Sequence, residues 1–206
     1  MHKRNIYIFL VFVSLSTGLF GETLKSNSPT LFRTRWFFLG TTSETFFSAV
    51  KDSSFERAIQ TGVGANIFAG VDLFSVFSVR TDLEFLKVNA SYPNSGIIYR
   101  GYTAASNNFR LDIYLNWLDK EQSNLNMLTG LFGGWGYSFA SYTQTPLIFY
   151  YTQIFGGPRL EIFDKKHNFY SFTLELPLTY QFRRDLEYST SLGISIGLNL
   201  YPLGGR

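Results

Sequence analysis

Tyr170-Ser171-Phe172-Thr173-Leu174-Glu175-Leu176-Pro177-Leu178-Thr179-Tyr180-Gln181-Phe182 repeats with a period of two. One face reads Tyr170, Phe172, Leu174, Leu176, Leu178, Tyr180 and Phe182. The other reads Ser171, Thr173, Glu175, Pro177, Thr179 and Gln181. Successive side chains of a strand point to opposite faces, so this stretch has one wholly apolar face and one mostly polar face. The apolar face carries aromatics at both ends and leucine in the middle. That is the banding of a strand crossing a bilayer, with amphipathic rings at the interfaces and aliphatic groups in the hydrocarbon.

The same alternation recurs along the chain. Phe77, Val79, Leu83 and Phe85 alternate with Ser78, Arg80, Asp82 and Glu84. Phe109, Leu111, Ile113, Leu115 and Trp117 alternate with Arg110, Asp112, Tyr114 and Asn116. Leu192, Ile194, Ile196, Leu198 and Leu200 alternate with Ser191, Gly193, Ser195, Gly197 and Asn199. Weaker versions run through Ile59–Ile67, Met127–Phe139 and Ile154–Ile162, and a first strand around Arg35–Thr42 is apolar on both faces. The expectation is an all-β protein: an eight-stranded antiparallel transmembrane β-barrel of up-and-down topology. Single-chain bacterial barrels use even strand numbers, and about 9–11 tilted residues suffice to cross. Leu174, Leu176, Leu178, Ile113, Leu115, Ile194 and Ile196 are expected to face lipid. Arg80, Asp82, Glu84, Arg110, Asp112, Arg159, Glu161 and Glu175 are expected to line the lumen. Pro158 and Pro177 fall inside strands of a barrel that has no edge, so a bulge or local distortion is expected at each.

Composition supports this reading. The 206 residues include 22 phenylalanines, 13 tyrosines and 18 glycines, and only 16% are charged, against about 25% in an ordinary soluble domain. Mean hydropathy is +0.01, unlike a helical membrane protein. There is no cysteine, which removes disulfides, thiol catalysis and thiolate metal sites. The net charge of +3 is scattered and forms no basic stripe, so no nucleic-acid partner is expected.

His2, Lys3 and Arg4 precede an apolar run from Ile6 to Val13, and small or apolar residues continue to Gly21. This is the layout of a secretory signal peptide, expected to span residues 1–21. Residues 22–34 read as a periplasmic lead-in and 35–206 as the barrel. Gly70–Leu73, Asp119–Ser123 and Asp164–Asn168 read as short turns. Ser43–Ala58, Val88–Asn108, Ala140–Leu147 and the shorter Arg183–Ser189 read as the opposite, generally longer loops. Long extracellular loops and short periplasmic turns would place both termini on the periplasmic side.

In architecture the chain resembles the small eight-stranded outer-membrane barrels of diderm bacteria, the OmpX/OmpW-like group. The resemblance covers nearly all of the exported part. Its best local match is the last strand. Ser191, Gly193, Ile196 and Leu198 stand at the spacing of the signal that such barrels present to their insertion machinery. The chain departs from that pattern by running on through Pro202-Leu203-Gly204-Gly205-Arg206 instead of ending at an aromatic. The relaxed signal-peptide cut, with Leu19 three residues before it, is similar to spirochaetal exports. The resemblance implies location in the cell outer membrane, with outer-membrane lipid and the insertion machinery as partners.

For function, eight strands leave an interior just wide enough for side chains or one small ligand. The mixed-sign lumen set reads first as a filler that locks the barrel by ion pairs, since buried charges must be paired. Three roles stay open. A narrow channel or portal for small solutes, as the OmpW-like resemblance implies, is placed first. A surface scaffold or adhesin with a plugged lumen follows, with Tyr92, Tyr99, Arg100 and Tyr102 of the long second loop suited to host or matrix ligands. A soluble lipid-binding barrel, apolar inside and polar outside, is the structural rival. Catalysis is not expected. Rim enzymes of such barrels mostly rely on a histidine base, and the only one after His2 is His167, in a turn. Asp82 and Glu84 read as structural acids. No cofactor is expected, and no metal site, since no ligand cluster has the required spacing.

Overall fold

The computed structural model describes residues 37–51, 57–73, 77–90, 101–119, 124–143, 148–164, 169–183 and 188–202. Alternation that buries one face and exposes the other produces β1 (Phe37–Lys51), β2 (Arg57–Leu73), β3 (Phe77–Ala90), β4 (Tyr102–Asp119), β5 (Leu125–Tyr142) and β6 (Ile148–Asp164). They are followed by β7 (Tyr170–Glu175), β8 (Leu178–Arg183) and β9 (Tyr188–Leu200). Neighbours in sequence pair antiparallel, and β1 pairs β9 from Leu39↔Leu200 to Lys51↔Tyr188. β7 and β8 both lie between β6 and β9. They are two halves of one stave, so the sheet is a closed, up-and-down barrel of eight staves. Closure removes every sheet edge and satisfies the backbone along the wall.

The break between β7 and β8 falls at Leu176-Pro177. The register on either side is the same: Arg159↔Glu175 and Gly156↔Leu178 lie on one continuous pairing, as do Glu175↔Ser195 and Leu178↔Leu192. Pro177 therefore interrupts the ladder without inserting a bulge. Pro158 stays within β6, opposite Leu131. Both prolines still accept: Leu176 N–H donates to the Pro158 carbonyl at 3.2 Å and Gly193 N–H to the Pro177 carbonyl at 2.8 Å. The register shift among these strands lies elsewhere, between Tyr114 and Asn116 in β4. It interrupts the alternation read through Leu115 to Trp117, pairing Trp117 with Leu128.

Several expected connections are strand. β1 runs on to Lys51, where a loop was expected from Ser43, because Ser43-Glu44-Thr45 is polar on both faces and masks the alternation. β2 continues through Gly70–Leu73, where a turn was expected; the connection is residues 74–76. Gly70 serves packing: a β-carbon there would lie 2.8 Å from that of Arg80 and inside the Phe38 ring. β3 runs to Ala90 and β4 begins at Tyr102, so both ends of the expected Val88–Asn108 loop are strand, while Tyr92, Tyr99 and Arg100 lie outside the described residues. Tyr102 is a buried wall residue, not part of a recognition loop. The first strand begins at Phe37, and the expected signal peptide and lead-in lie outside the described residues. So do residues 120–123 and 165–168 of two expected turns. The wall begins at Phe37 and ends near Tyr201 at one end of the barrel, the end that carries the 74–76 connection.

Candidate functional site: the barrel lumen

Residues of even number on β1 to β4 up to Tyr114, and on β5, point inward, as do odd-numbered residues of β6 to β9. The structure places Arg80, Asp82, Glu84, Arg110, Asp112, Arg159, Glu161 and Glu175 in the lumen, none more than 6% exposed. Seven of the eight form one connected ion-pair network. Arg110 spans its centre. Nε donates to Asp112 Oδ1 at 2.6 Å, while Nη1 and Nη2 donate to the two oxygens of Glu175 at 2.7 and 2.6 Å. Arg80 grips Asp82, with Nε 2.9 Å from Oδ1 and Nη2 3.1 Å from Oδ2. Arg159 lies 2.8 Å from Asp112 Oδ2 and 2.9 Å from Glu161 Oε2. Arg80 and Arg159 each approach Glu175 Oε1 to 3.8 Å. The guanidiniums also lie over aromatic faces: Arg80 over Phe68 at 4.1 Å and Arg110 over Phe132 at 3.8 Å. Such contacts supply attraction where water is excluded.

Hydroxyls and amides add hydrogen bonds around the network. Ser78 donates to Asp112 at 3.0 Å, and Ser171 and Tyr201 donate to Glu161, the latter at 2.7 Å. Glu84 contacts no arginine. It accepts from Asn108 Nδ2 at 3.0 Å and Gln153 Nε2 at 3.1 Å. Asp82 and Glu84, weighed as an acid–base pair, are thus each held by other groups.

Apolar clusters lie on both sides of this band. Toward the loop end, Phe46, Leu86, Val88, Tyr102, Ala104, Ala140 and Tyr151 pack together, with Tyr142 and Phe149 against them. Toward the other end stand Phe38, Phe68 and Tyr201, and also Tyr114, Leu128 and Phe163. Glycines let these side chains cross a narrow lumen: a β-carbon at Gly62 would fall on the Phe46 ring, and one at Gly134 would lie 2.6 Å from Phe155. Between the clusters a cavity of about 30 Å³ is lined by Glu44, Asn66, Glu84, Arg110, Glu175 and neighbours.

The sequence reading sets Asn66 and Gln153 on the polar faces of their strands without counting them among the lumen residues, and it leaves Glu44 and Asn108 in expected loops. The inward positions of Glu44 and Asn108 follow from the period once β1 and β4 are extended. Among the described residues, no group of three His, Cys, Asp or Glu is placed to hold a metal. His167 lies outside them.

The outer wall has the opposite chemistry. Leu174, Leu115, Ile194 and Ile196 are exposed, Ile196 to 62%. Leu176, Leu178 and Ile113 are outward and half-buried by neighbours. Of the last-strand residues, Ser191 and Gly193 point inward and Ile196 and Leu198 outward. Phe47, Trp135 and Tyr150 are 68%, 59% and 74% exposed. Among the described side chains of the outer wall, the charged ones sit at its margins: Lys87, near the loop end of β3, and Asp164, the last residue of β6.

No family model matches the chain, and no curated protein does. Solved structures do. The chain is similar to Neisserial surface protein A (NspA), with 12% identity over 79% of this chain and 96% of that chain, at a TM-score of 0.49. It is also similar to Ail, the attachment invasion locus protein of Yersinia pestis, with 13% identity over 79% of this chain and 98% of that one, at 0.42. Ail in complex with the heparin analogue sucrose octasulfate matches at 13% identity, 80% and 99% coverage and 0.44.

Proposed function

We propose that the protein is an integral, non-catalytic barrel of the bacterial outer membrane whose lumen is sealed, and that it serves as a rigid scaffold holding its loop-end surface outside the cell. The observation that carries this reading is the inverted polarity of the wall. The interior holds the ion-pair network, while the exterior presents mainly apolar and aromatic side chains with some threonine, serine and asparagine among them, and its described charged side chains are Lys87 and Asp164 at the margins. In water, that exterior would leave Phe47, Ile148, Trp135 and Tyr150 among many large apolar side chains exposed, an unfavourable surface of the kind that membranes or partners cover. A soluble lipid-binding barrel needs the reverse arrangement. The sealed lumen is supported by the side chains that cross it: apolar clusters toward both ends and interlocked arginines and carboxylates between. Non-catalytic action is supported by the engagement of the network acids with arginines, hydroxyls and amides. Loop ligands of a host or matrix remain part of the same scaffold reading.

Two experiments test it. The exported protein should fractionate with membranes, enter the detergent phase and migrate anomalously on unboiled gels; recovery as a soluble periplasmic protein overturns the membrane reading. Reconstituted in planar bilayers, it should show no discrete conductance over a wide voltage range. Steady unitary conductance would instead favour the narrow channel or portal for small solutes, a reading that the mid-lumen cavity supports.

A further inference from the structure

The charge balance of the central lumen does not close. Six carboxylates stand there (Glu44, Asp82, Glu84, Asp112, Glu161 and Glu175) with three guanidiniums (Arg80, Arg110 and Arg159). Asp72 lies further toward the turn end. Asp82, Asp112, Glu161 and Glu175 all contact arginine. Glu44 and Glu84 have no ion pair among the described residues. Both line the cavity of about 30 Å³. Arg80 and Arg110 line the same cavity but are engaged with Asp82, Asp112 and Glu175. A carboxylate pair with no direct ion pair of its own in a place of low dielectric is costly unless a further counter-charge accompanies it.

The backbone brings these groups together. Glu84 is the direct cross-strand partner of Asn66, and Glu44 that of Gly64, one inward position away on the same strand. Gly64 leaves room for the Glu44 stem: a β-carbon at that glycine would lie 3.1 Å from Glu44 Cγ. Asn66 supplies an independent sign of a missing ligand. Its side chain lines the cavity and is 7% exposed, yet its Oδ1 is buried without a hydrogen-bond partner. An unpartnered carbonyl oxygen beside two carboxylates asks for a positive charge that accepts oxygen donors. Asn108 donates to Glu84, and Gln153 donates both to Glu84 and to Asn108 Oδ1, so these amides hydrogen-bond that acid without neutralising it.

We propose that this cavity holds one hard, oxygen-seeking cation of the sodium or calcium class, bound by Glu44, Glu84 and Asn66 Oδ1, with water completing its shell. Hard cations take carboxylate, amide-carbonyl and water oxygens. No three acidic or histidine side chains among the described residues chelate an ion by themselves, so water is a required part of the site. About 10–15 Å³ accommodates one water, and the cavity volume of about 30 Å³ therefore fits an ion with a companion water.

The test uses the folded barrel in zwitterionic detergent, stripped with chelator and held at one pH and one ionic strength. Sodium chloride or calcium chloride is titrated against N-methylglucamine chloride, whose cation is too large for the cavity. The midpoint of heat unfolding, read from gel mobility and circular dichroism, should rise saturably by about 3 °C or more with the small cation. Whichever salt saturates at the lower concentration names the ion. Glu44→Gln should raise the half-saturation concentration about tenfold or abolish the response, an affinity loss of one decade, while Lys87→Gln on the outer wall should keep it. An unchanged response in Glu44→Gln overturns the proposal. So does a wild-type midpoint that follows pH but is indifferent to the cation, because a proton then balances the charge. If Glu44→Gln fails to fold, the wild-type series decides by itself.

Discussion

Replacing Arg110 with methionine should be the most damaging single change in the lumen, and the geometry says where the cost arises. Arg110 makes both of the close contacts to Glu175, at 2.6 and 2.7 Å, and its loss leaves that carboxylate with guanidiniums only at 3.8 Å. Asp112 suffers less, because Arg159 at 2.8 Å and Ser78 at 3.0 Å remain. Removing one partner of a buried pair costs about 3–5 kcal/mol, mainly as the penalty of the stranded charge. Methionine keeps an apolar stem over Phe132, so packing loss adds little. The double variant Arg110→Met with Glu175→Met removes one charge of each sign and restores the wild-type balance of the lumen. It should therefore recover most of the loss, giving a coupling of about 2 kcal/mol or more. Urea unfolding of the refolded barrel in lipid vesicles, followed by tryptophan fluorescence and gel mobility, measures all four corners of the cycle. If the single variant loses less than about 1 kcal/mol, or if the two single losses simply add, the network does not hold the barrel as argued.

Three further outcomes follow from particular side chains. Leu174→Arg puts a charge on the outer wall in the middle of the apolar belt and should destabilise insertion by about 2–4 kcal/mol, measured by folding equilibria into vesicles; the same substitution should be nearly silent if that face meets water. Gly62→Ala should cost about 1–3 kcal/mol through overpacking against the Phe46 ring, and Phe46→Leu in the same chain should recover part of it, as read by urea midpoints. Pro177→Ala supplies an N–H opposite the Gly193 carbonyl without a register change, so the stave should become continuous, with slower amide exchange at Leu176 and Leu178 and no loss of fold.

The parts of this fold that are legible in the sequence are those where the two faces differ chemically. β3, the β7–β8 stave and β9 carry apolar side chains on one face and polar or small ones on the other, and the period of two is open to inspection. Legibility fails where that contrast fades. Ser43-Glu44-Thr45 is polar on both sides, which hides the second half of β1 and with it the cavity acid Glu44. Gly70 carries the usual mark of a turn but is there for the Phe38 ring. The shift at Leu115 has no local sign, since the residues around it alternate well and only the pairing with β5 displaces them. Alternation also says nothing about which face is inside. That choice rests on charge: ionic groups that pair in sign can share a closed interior, and an uncharged apolar face can meet lipid.

Register is the finer problem, and here glycine and bulky residues form a code that acts only once strands meet. A strand slip of one residue exchanges the faces and is excluded by polarity. A slip of two keeps the faces and must be excluded by shape. Across β1 and β2 the direct partners are Phe38↔Gly70, Gly40↔Phe68, Glu44↔Gly64 and Phe46↔Gly62. Each large inward side chain on one strand lies over a glycine on the other, and the rings occupy the place that a β-carbon would take. Slipping one way sets Phe38 against Phe68 in a lumen with no room for both. Slipping the other way sets Gly40 against Gly70 and opens a void, with its own cost. The same complementarity continues at Gly134↔Phe155 and Phe132↔Gly157 between β5 and β6, and at Asn108↔Gly136 between β4 and β5. The inward glycines thus pin the pairing that brings Arg80, Arg110, Arg159 and their carboxylates to one level, and the ion network depends on that pinning rather than creating it.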